Sequence, residues 1–328
     1  MSNGGNLPYQ LRPNKAVERL LFAELLSRLD KPLGIGTNYE YFGFGGPQME
    51  DFRLLNECFS EMKMVSVERE EQVLKRQRFN GPHTNVRCKL QSSADFVSGF
   101  SSKSKAIVWL DYTEPGERSA QVGEFQNLLR RVRELSIVKI TVNAAVSTLG
   151  GQSGKPGLQA ERLKAFLHDF SRCFPNGLGE EAVTTNNFPK TFLRVLEYAA
   201  AEVLHDRRDW RFQPLASSVY ADGQKMLTLT GIVGKRPNLA NIVSAHNLAT
   251  WDFTRLGWDD PVAIEVPELT IKERIHVNQL LPKYENDIPF IHRKLGFQVD
   301  KKTEESERKL RNYVSFQRHY PHFGKVAI

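Results

Sequence analysis

The sequence has few cysteines, and they suggest neither a cross-link nor a metal site. The 328 residues contain three, Cys58, Cys88 and Cys173, which are far apart and form no C-x-x-C pair. A disulfide framework or a zinc site would need ligands at closer, regular spacing, so neither is expected. The histidines also lack a partner carboxylate at ligand spacing, and we predict no metal site. Such cysteine usage is typical of the reducing cytoplasm.

Long apolar runs are missing as well. No stretch approaches the roughly 18 apolar residues that a membrane-spanning helix requires. The opening residues, MSNGGNLPYQLRPNK, have no hydrophobic signal core. We therefore expect a cytoplasmic protein without a membrane partner.

Basic residues are in modest excess over acidic residues. Lys and Arg number 45 against 38 Asp and Glu, a formal net charge of +7. This balance permits a polyanionic partner such as nucleic acid but does not require one. The sequence leaves the oligomeric state open.

Predicted strands and helices alternate from about residue 38 to residue 145. The run KAIVWLDY, residues 105–112, is continuously apolar, which is typical of a strand covered by helices on both faces. Alternation of this kind predicts an α/β, Rossmann-like fold with a mainly parallel sheet and helices on both faces. Two β-like runs flank Asp222 and Gly223 and predict an antiparallel hairpin at one edge of the sheet.

The periodicity weakens after about residue 235. Helical patterns return over 270–282 and 303–320, and Thr303 is expected to cap the second. We therefore predict a Rossmann-like domain with an N-terminal helix over residues 1–234. Residues 235–328 are predicted to form a helical C-terminal extension or cap.

Three glycines, Gly43, Gly45 and Gly46, follow the first predicted strand in NYEYFGFGGPQMEDF. In an open α/β sheet the ligand lies at the carboxyl ends of the strands, where a glycine-rich turn lets it approach the backbone. Glu68 ends the second predicted strand, 22 residues after Gly46. An acid at roughly this spacing, about 20 residues, can bind both ribose hydroxyls. A plain tight turn and a solvated acid in the run EREE remain the alternatives.

The glycine pattern argues against two common nucleotide sites. A dinucleotide fold prefers a third glycine where Gln48 and Met49 stand, and no G-K-[ST] follows the glycines as a P-loop requires. A serine hydrolase is unsupported too, because no G-x-S-x-G is present.

These residues resemble the class I S-adenosylmethionine-dependent methyltransferases, of the O-methyltransferase type. YEYFGFGG is similar to the first motif of that family, SVE to the motif with its ribose-binding acid, and SSADF to its adenine-contacting loop. The resemblance implies S-adenosylmethionine as the cofactor. It implies that Gly43, Gly45, Gly46 and Glu68 hold the cofactor and that Asp95 lies beside the adenine.

WLDYTEP is similar to the fourth motif, which lies beside the reacting methyl group. This resemblance implies that Asp111 polarises or orients the methyl acceptor and that Tyr112 forms an aromatic wall. Capping roles for Asp111 and for Asp95 remain open. The resemblance covers about residues 38–233 and departs from the family pattern in two places. The acid before the glycines is Glu40, one residue further away than usual. In the fourth motif, Asp-Tyr-Thr replaces an Asn or Asp followed by two prolines and an aromatic residue.

Two basic residues, Arg12 and Lys15, precede the first predicted helix. They are similar in position to a lysine-bearing, cofactor-contacting motif of the DNA adenine methyltransferases, or they belong to a solvated arm.

The sequence thus predicts S-adenosylmethionine-dependent methyl transfer, by default to oxygen, with a small-molecule or macromolecular acceptor. The basic charge favours a nucleic-acid methyltransferase as an alternative, while the missing double proline argues against it. A non-catalytic protein that binds a nucleotide-like ligand or a partner on the same fold is the third reading.

Overall fold

A computed structural model describes residues 12–151, 154–245 and 248–320. In these residues eight strands form one sheet: β1 Tyr39–Gly43, β2 Lys63–Glu68, β3 Val86–Leu90, β4 Lys105–Asp111, β5 Ile137–Asn143, β6 Trp210–Asp222, β7 Gln224–Lys235 and β8 Val262–Ile264. Their order across the sheet is β3-β2-β1-β4-β5-β7-β6-β8.

Helices cover both faces of this sheet. The described α-helices are α1 Pro13–Leu33, α2 Ile35–Asn38, α3 Glu50–Cys58, α4 Glu71–Asn80, α5 Ser93–Ser98, α6 Arg118–Arg131, α7 Leu158–Phe170, α8 Phe188–Leu204, α9 Arg236–Ala245, α10 Ile271–Gln279, α11 Ile288–Leu295 and α12 Thr303–Phe316. No described helix is long and apolar enough to cross a bilayer.

The predicted fold class is confirmed. Strands β1 to β5 pair in parallel, and β7 joins β5 in the antiparallel direction. The hairpin of β6 and β7 turns at Gly223, whose φ of +113° suits glycine. The order reverses between β1 and β4, the position at which open α/β sheets bind their ligands.

Alternate side chains of β4 build two cores. Ile107 and Trp109 belong to the core on the α1 and α3 side, whereas Val108 and Leu110 belong to the core under α5, α6 and α8. This follows from the period of two along a strand. It also explains why the whole run is apolar.

The C-terminal segment packs on the same core as α1. Strand β8 pairs with the outer edge of β6, and Leu310, Tyr313 and Phe316 of α12 lie in the α1 core. The predicted boundary between 234 and 235 remains a prediction, and residues 1–11 and 321–328 of the two predicted parts lie outside the described residues.

The predicted cap of α12 was wrong. Thr303 does not cap α12: it is the first helical residue, and its hydroxyl accepts a hydrogen bond from the Gln298 side chain at 3.0 Å. Strand β3 ends at Leu90. Ser92 then caps α5, since its hydroxyl accepts from the backbone N–H of Asp95 at 3.1 Å.

Candidate active-site cleft

A cleft of about 410 Å³ opens at the carboxyl ends of β1, β2 and β4. Its walls come from the loop after β1, the turn after β2, the loop after β4, the first turn of α1 and the β6–β7 hairpin. Of the residues predicted to form the site, it brings together Gly45, Gly46, Glu68, Asp111 and Tyr112. Gly43 and Asp95 do not line it.

The loop after β1 is held by side chains of the protein itself. The backbone N–H of Gly45 donates to the Ser66 hydroxyl at 3.3 Å, and its carbonyl accepts from the Gln77 amide. Ser66 also donates to the Gln77 side-chain oxygen at 3.0 Å, and both residues are fully buried. The network ties the glycine loop to β2 and α4.

Close packing explains two of the three glycines. A Cβ on Gly43 would lie 2.4 Å from the Tyr41 hydroxyl, and one on Gly45 would lie 2.6 Å from the Ser66 hydroxyl. Any larger residue would therefore clash with these groups. Gly45 and Gly46 both line the cleft, but only Gly46 is exposed. The contact predicted between these glycines and the cofactor stays a prediction.

Glu68 ends β2 with its carboxylate at the cleft. One oxygen accepts from the backbone N–H of Glu70 at 2.8 Å, and the other accepts from the Gln77 amide at 3.4 Å. An ionised carboxylate has about four acceptor positions, so each oxygen keeps capacity for a further donor. These hydrogen bonds fix the orientation of the carboxylate and leave acceptor positions for a ligand.

Asp95 has a local role in α5. Its carboxylate accepts a hydrogen bond from the Ser92 hydroxyl at 2.6 Å, and its side chain is exposed. The neighbouring residues Gln91 and Ser93 line the cleft instead.

Asp111 lies at the end of β4 and forms an ion pair with Arg19 of α1. The Arg19 guanidinium is 3.1 Å from the Asp111 carboxylate, which is 16% exposed. Burial alone would raise the pKa of Asp111, but the charges of Arg19 and Lys15 outweigh burial and hold this pKa below its usual range. Asp111 therefore stays ionised near neutral pH.

A buried charge cluster, Glu18, Arg19, Lys139 and Asp111, lies beneath the cleft. Glu18 contacts Lys139 of β5 at 2.6 Å and Arg19 at 2.8 Å. The Lys139 ammonium also stands 3.6 Å from the ring centre of Trp109, a cation–π contact. Sequence reasoning missed this cluster. Its signal was a lysine inside the apolar run IVKITVN, because a fully buried lysine needs a buried acid.

Tyr112 forms one wall of the cleft, as predicted for its ring. It packs edge-on against Phe44 with ring centres 5.7 Å apart. Its hydroxyl donates to Glu124, and burial raises its pKa well above the usual range. The Tyr112 hydroxyl is thus engaged within the protein.

Lys15 lines the cleft from the first turn of α1. The carboxylate of Asp222, at the hairpin, accepts from the backbone N–H groups of Asn14 at 3.4 Å and Lys15 at 2.6 Å. Asn14 in turn donates to the carbonyl of Ala221 at 3.0 Å. Lys15 therefore belongs to a fixed helix end and not to a solvated arm. Burial, with the nearby Arg19 charge, lowers the pKa of Lys15 to about 8.

The family is decided by the sequence as a whole. Residues 7–328 match the model of a family described as "Putative O-methyltransferase". The chain belongs to this methyltransferase family. The resemblance inferred from the motifs is thereby confirmed, and the match includes the C-terminal segment. No curated protein matches the chain.

Solved methyltransferase structures show distant similarity. The plantazolicin methyltransferase BpumL in complex with SAH is 10% identical, with 66% of this chain and 84% of that chain covered and a TM-score of 0.38. The O-methyltransferase TomG from Streptomyces achromogenes in complex with SAM is 15% identical, with 65% and 78% covered and a TM-score of 0.36.

Proposed function

We propose that this methyltransferase binds S-adenosylmethionine in the cleft and methylates an oxygen of its acceptor. The observation that carries the proposal is the placement of Glu68: a fixed carboxylate at the end of β2, with acceptor capacity left on both oxygens, facing a cleft of ligand size. S-adenosylmethionine supplies a methyl group already activated by a positively charged sulfur.

The charge of the cleft supports a cationic ligand. Its lining has seven carboxylates against four basic side chains. The carboxylates are Glu50, Asp51, Glu68, Glu70, Asp111, Glu114 and Glu117. A wall with excess negative charge attracts a positively charged group and raises its local concentration.

Asp111 and Lys15 have separate roles toward the methyl acceptor in this proposal. Asp111, kept ionised by Arg19, accepts a hydrogen bond from the acceptor hydroxyl and orients it. A carboxylate of lowered pKa is a weak base, so we assign removal of the hydroxyl proton to the Lys15 amine. Alignment of the reacting groups contributes the larger share, on the order of 7 kcal/mol in well-oriented systems.

We further propose that residues 1–234 carry the whole site. Among residues 12–151, 154–245 and 248–320, every residue that lines the cleft lies between Arg12 and Met226. The segment 235–328 would then support α1 and the outer edge of the sheet without touching the ligand.

Thermal unfolding with and without ligand tests the proposal. S-adenosylhomocysteine at a hundredfold excess over its Kd should stabilise the protein by about 2.7 kcal/mol, whereas NAD at the same concentration should not. A protein that NAD stabilises equally, or that S-adenosylhomocysteine leaves unchanged, contradicts the assignment. Transfer of a labelled methyl group to hydroxyl acceptors then separates an enzyme from a non-catalytic binding protein.

A further inference from the structure

A basic surface lies beside the cleft, on α4 and the edge strand β3. Residues 69–89 contain six Lys and Arg against two Glu, a net charge of +4 within a chain whose total is +7. All six basic side chains are exposed: Arg69, Lys75, Arg76, Arg78, Arg87 and Lys89. More than half of the excess positive charge is thus placed in 21 consecutive residues.

An unusually exposed aromatic ring stands among these charges. Phe79, in the last turn of α4, is 90% exposed, the most of any large hydrophobic residue that the structure describes. Arg76 precedes it by one helical turn and Arg78 is its neighbour, while Leu74 holds α4 to the sheet. An exposed aromatic ring close to basic residues is a feature of surfaces on which unpaired bases stack.

A groove connects this surface to the cleft. It has a volume of about 600 Å³, is bordered by α1, α3 and α4, and shares Gln48, Glu50 and Arg76 with the cleft. Two of its lining residues are joined: Arg53 donates to the carbonyl of Asn80 at 3.1 Å, one residue from Phe79. A chain-like ligand seated on Phe79 can therefore follow the groove to the edge of the cleft.

We propose that the surface of residues 69–89, with Phe79 as its stacking platform, binds single-stranded RNA: the phosphates stay on this surface, and only a ribose hydroxyl reaches the acidic cleft. The local charge favours a polyanion, and the solvent-facing ring favours unpaired bases, because a duplex hides the faces of its bases. RNA is favoured over DNA because its 2′-hydroxyl is an oxygen that DNA lacks. This last step rests on the proposed oxygen methylation.

Fluorescence anisotropy with a labelled oligouridylate of about twelve nucleotides tests the proposal, since such lengths match typical single-strand sites. Phe79→Ala should weaken binding by about 5- to 150-fold, the effect of losing one stacked base. Arg78→Gln should reduce the slope of log affinity against log salt by about 0.7. Phe297→Ala is the matched control: Phe297 is also an exposed phenylalanine, at 49%, but lies after α11.

Three results would overturn the docking surface. The first is that the oligouridylate does not bind at about 50 mM salt. The second is that the Phe79→Ala and Phe297→Ala variants bind it with equal affinity. The third is that oligothymidylate, duplex RNA or polyglutamate binds as tightly as the oligouridylate. Stabilisation by S-adenosylhomocysteine, measured on the same variants, should be unchanged. If that ligand stabilises the protein while RNA fails to bind, only the docking surface is wrong; the reverse pattern contradicts the proposed function.

Discussion

The buried charge cluster beneath the cleft and the basic surface of residues 69–89 contain the same residue types in opposite environments. In the cluster, Lys139 and Glu18 are 0% and 5% exposed and lie 2.6 Å apart. On the basic surface, Lys75 and Glu71 are 58% and 63% exposed at a similar 3.0 Å. The nitrogen–oxygen distance is nearly the same in the two pairs, so they differ in their exposure to solvent. The buried pair fixes the geometry of a site. The exposed pair stays solvated and leaves its charge available to a partner.

The largest expected effect comes from breaking the buried pair. Lys139→Met leaves Glu18 buried with Arg19 as its remaining partner, and we expect a loss of about 3–5 kcal/mol in the free energy of unfolding. Urea denaturation measures it. The double variant Glu18→Gln with Lys139→Met removes both charges and should recover part of the loss. A single variant as stable as the wild type would show that the pair does not hold α1 to β5.

An effect of intermediate size, on the rate of methyl transfer, is expected at Lys15, which lines the cleft between the buried cluster and the solvent. Because burial lowers the pKa of Lys15 to about 8, its amine loses the proton as pH rises through that value, and methyl transfer should rise over the same range. Lys15→Met should abolish this pH dependence and lower the rate by at least about 100-fold.

The sign of the Asp111 effect provides a second check on Lys15. The Asp111 charge raises the pKa of Lys15, so Asp111→Asn should move the titration of Lys15 to lower pH. Competitive acetylation followed by mass spectrometry reads this titration without any acceptor. If the pKa of Lys15 stays the same or rises in the Asp111→Asn variant, the Asp111 charge does not act on Lys15 as described.

The smallest expected effect is at the exposed pair. Lys75→Ala should change the free energy of unfolding by less than about 1 kcal/mol, because both partners remain solvated. A loss as large as that of Lys139→Met would remove the distinction between the two regions.

Local patterns predicted the sheet and the position of Glu68, a residue of the proposed site. Strands β1, β2, β4 and β5 follow from their apolar runs, and the spacing from the glycines placed Glu68 at the end of β2. The motif around Asp95 was ambiguous, since Ser92 three residues before an acid is also a capping signal, and the structure shows the cap. Gly43 and Gly45 were open to two readings, because a glycine needed against Tyr41 or Ser66 resembles one needed against a ligand.

Contacts between distant segments could not be predicted. The pairing of Arg19 with Asp111 and of Glu18 with Lys139 depends on how α1 lies across the sheet. A single sequence carries no signal for that placement beyond the odd lysine in β5. The exposure of Phe79 likewise depends on which face of α4 meets β2 and β3.

Calorimetric titration with S-adenosylhomocysteine tests the central claim most directly. Wild-type protein should bind, and Glu68→Ala should bind about 10- to 150-fold more weakly, the effect of losing hydrogen bonds to a charged group. Glu71→Ala, at an exposed acid three residues further on, should bind like the wild type. Equal affinity in the Glu68→Ala variant, or no binding by the wild type, would contradict the account.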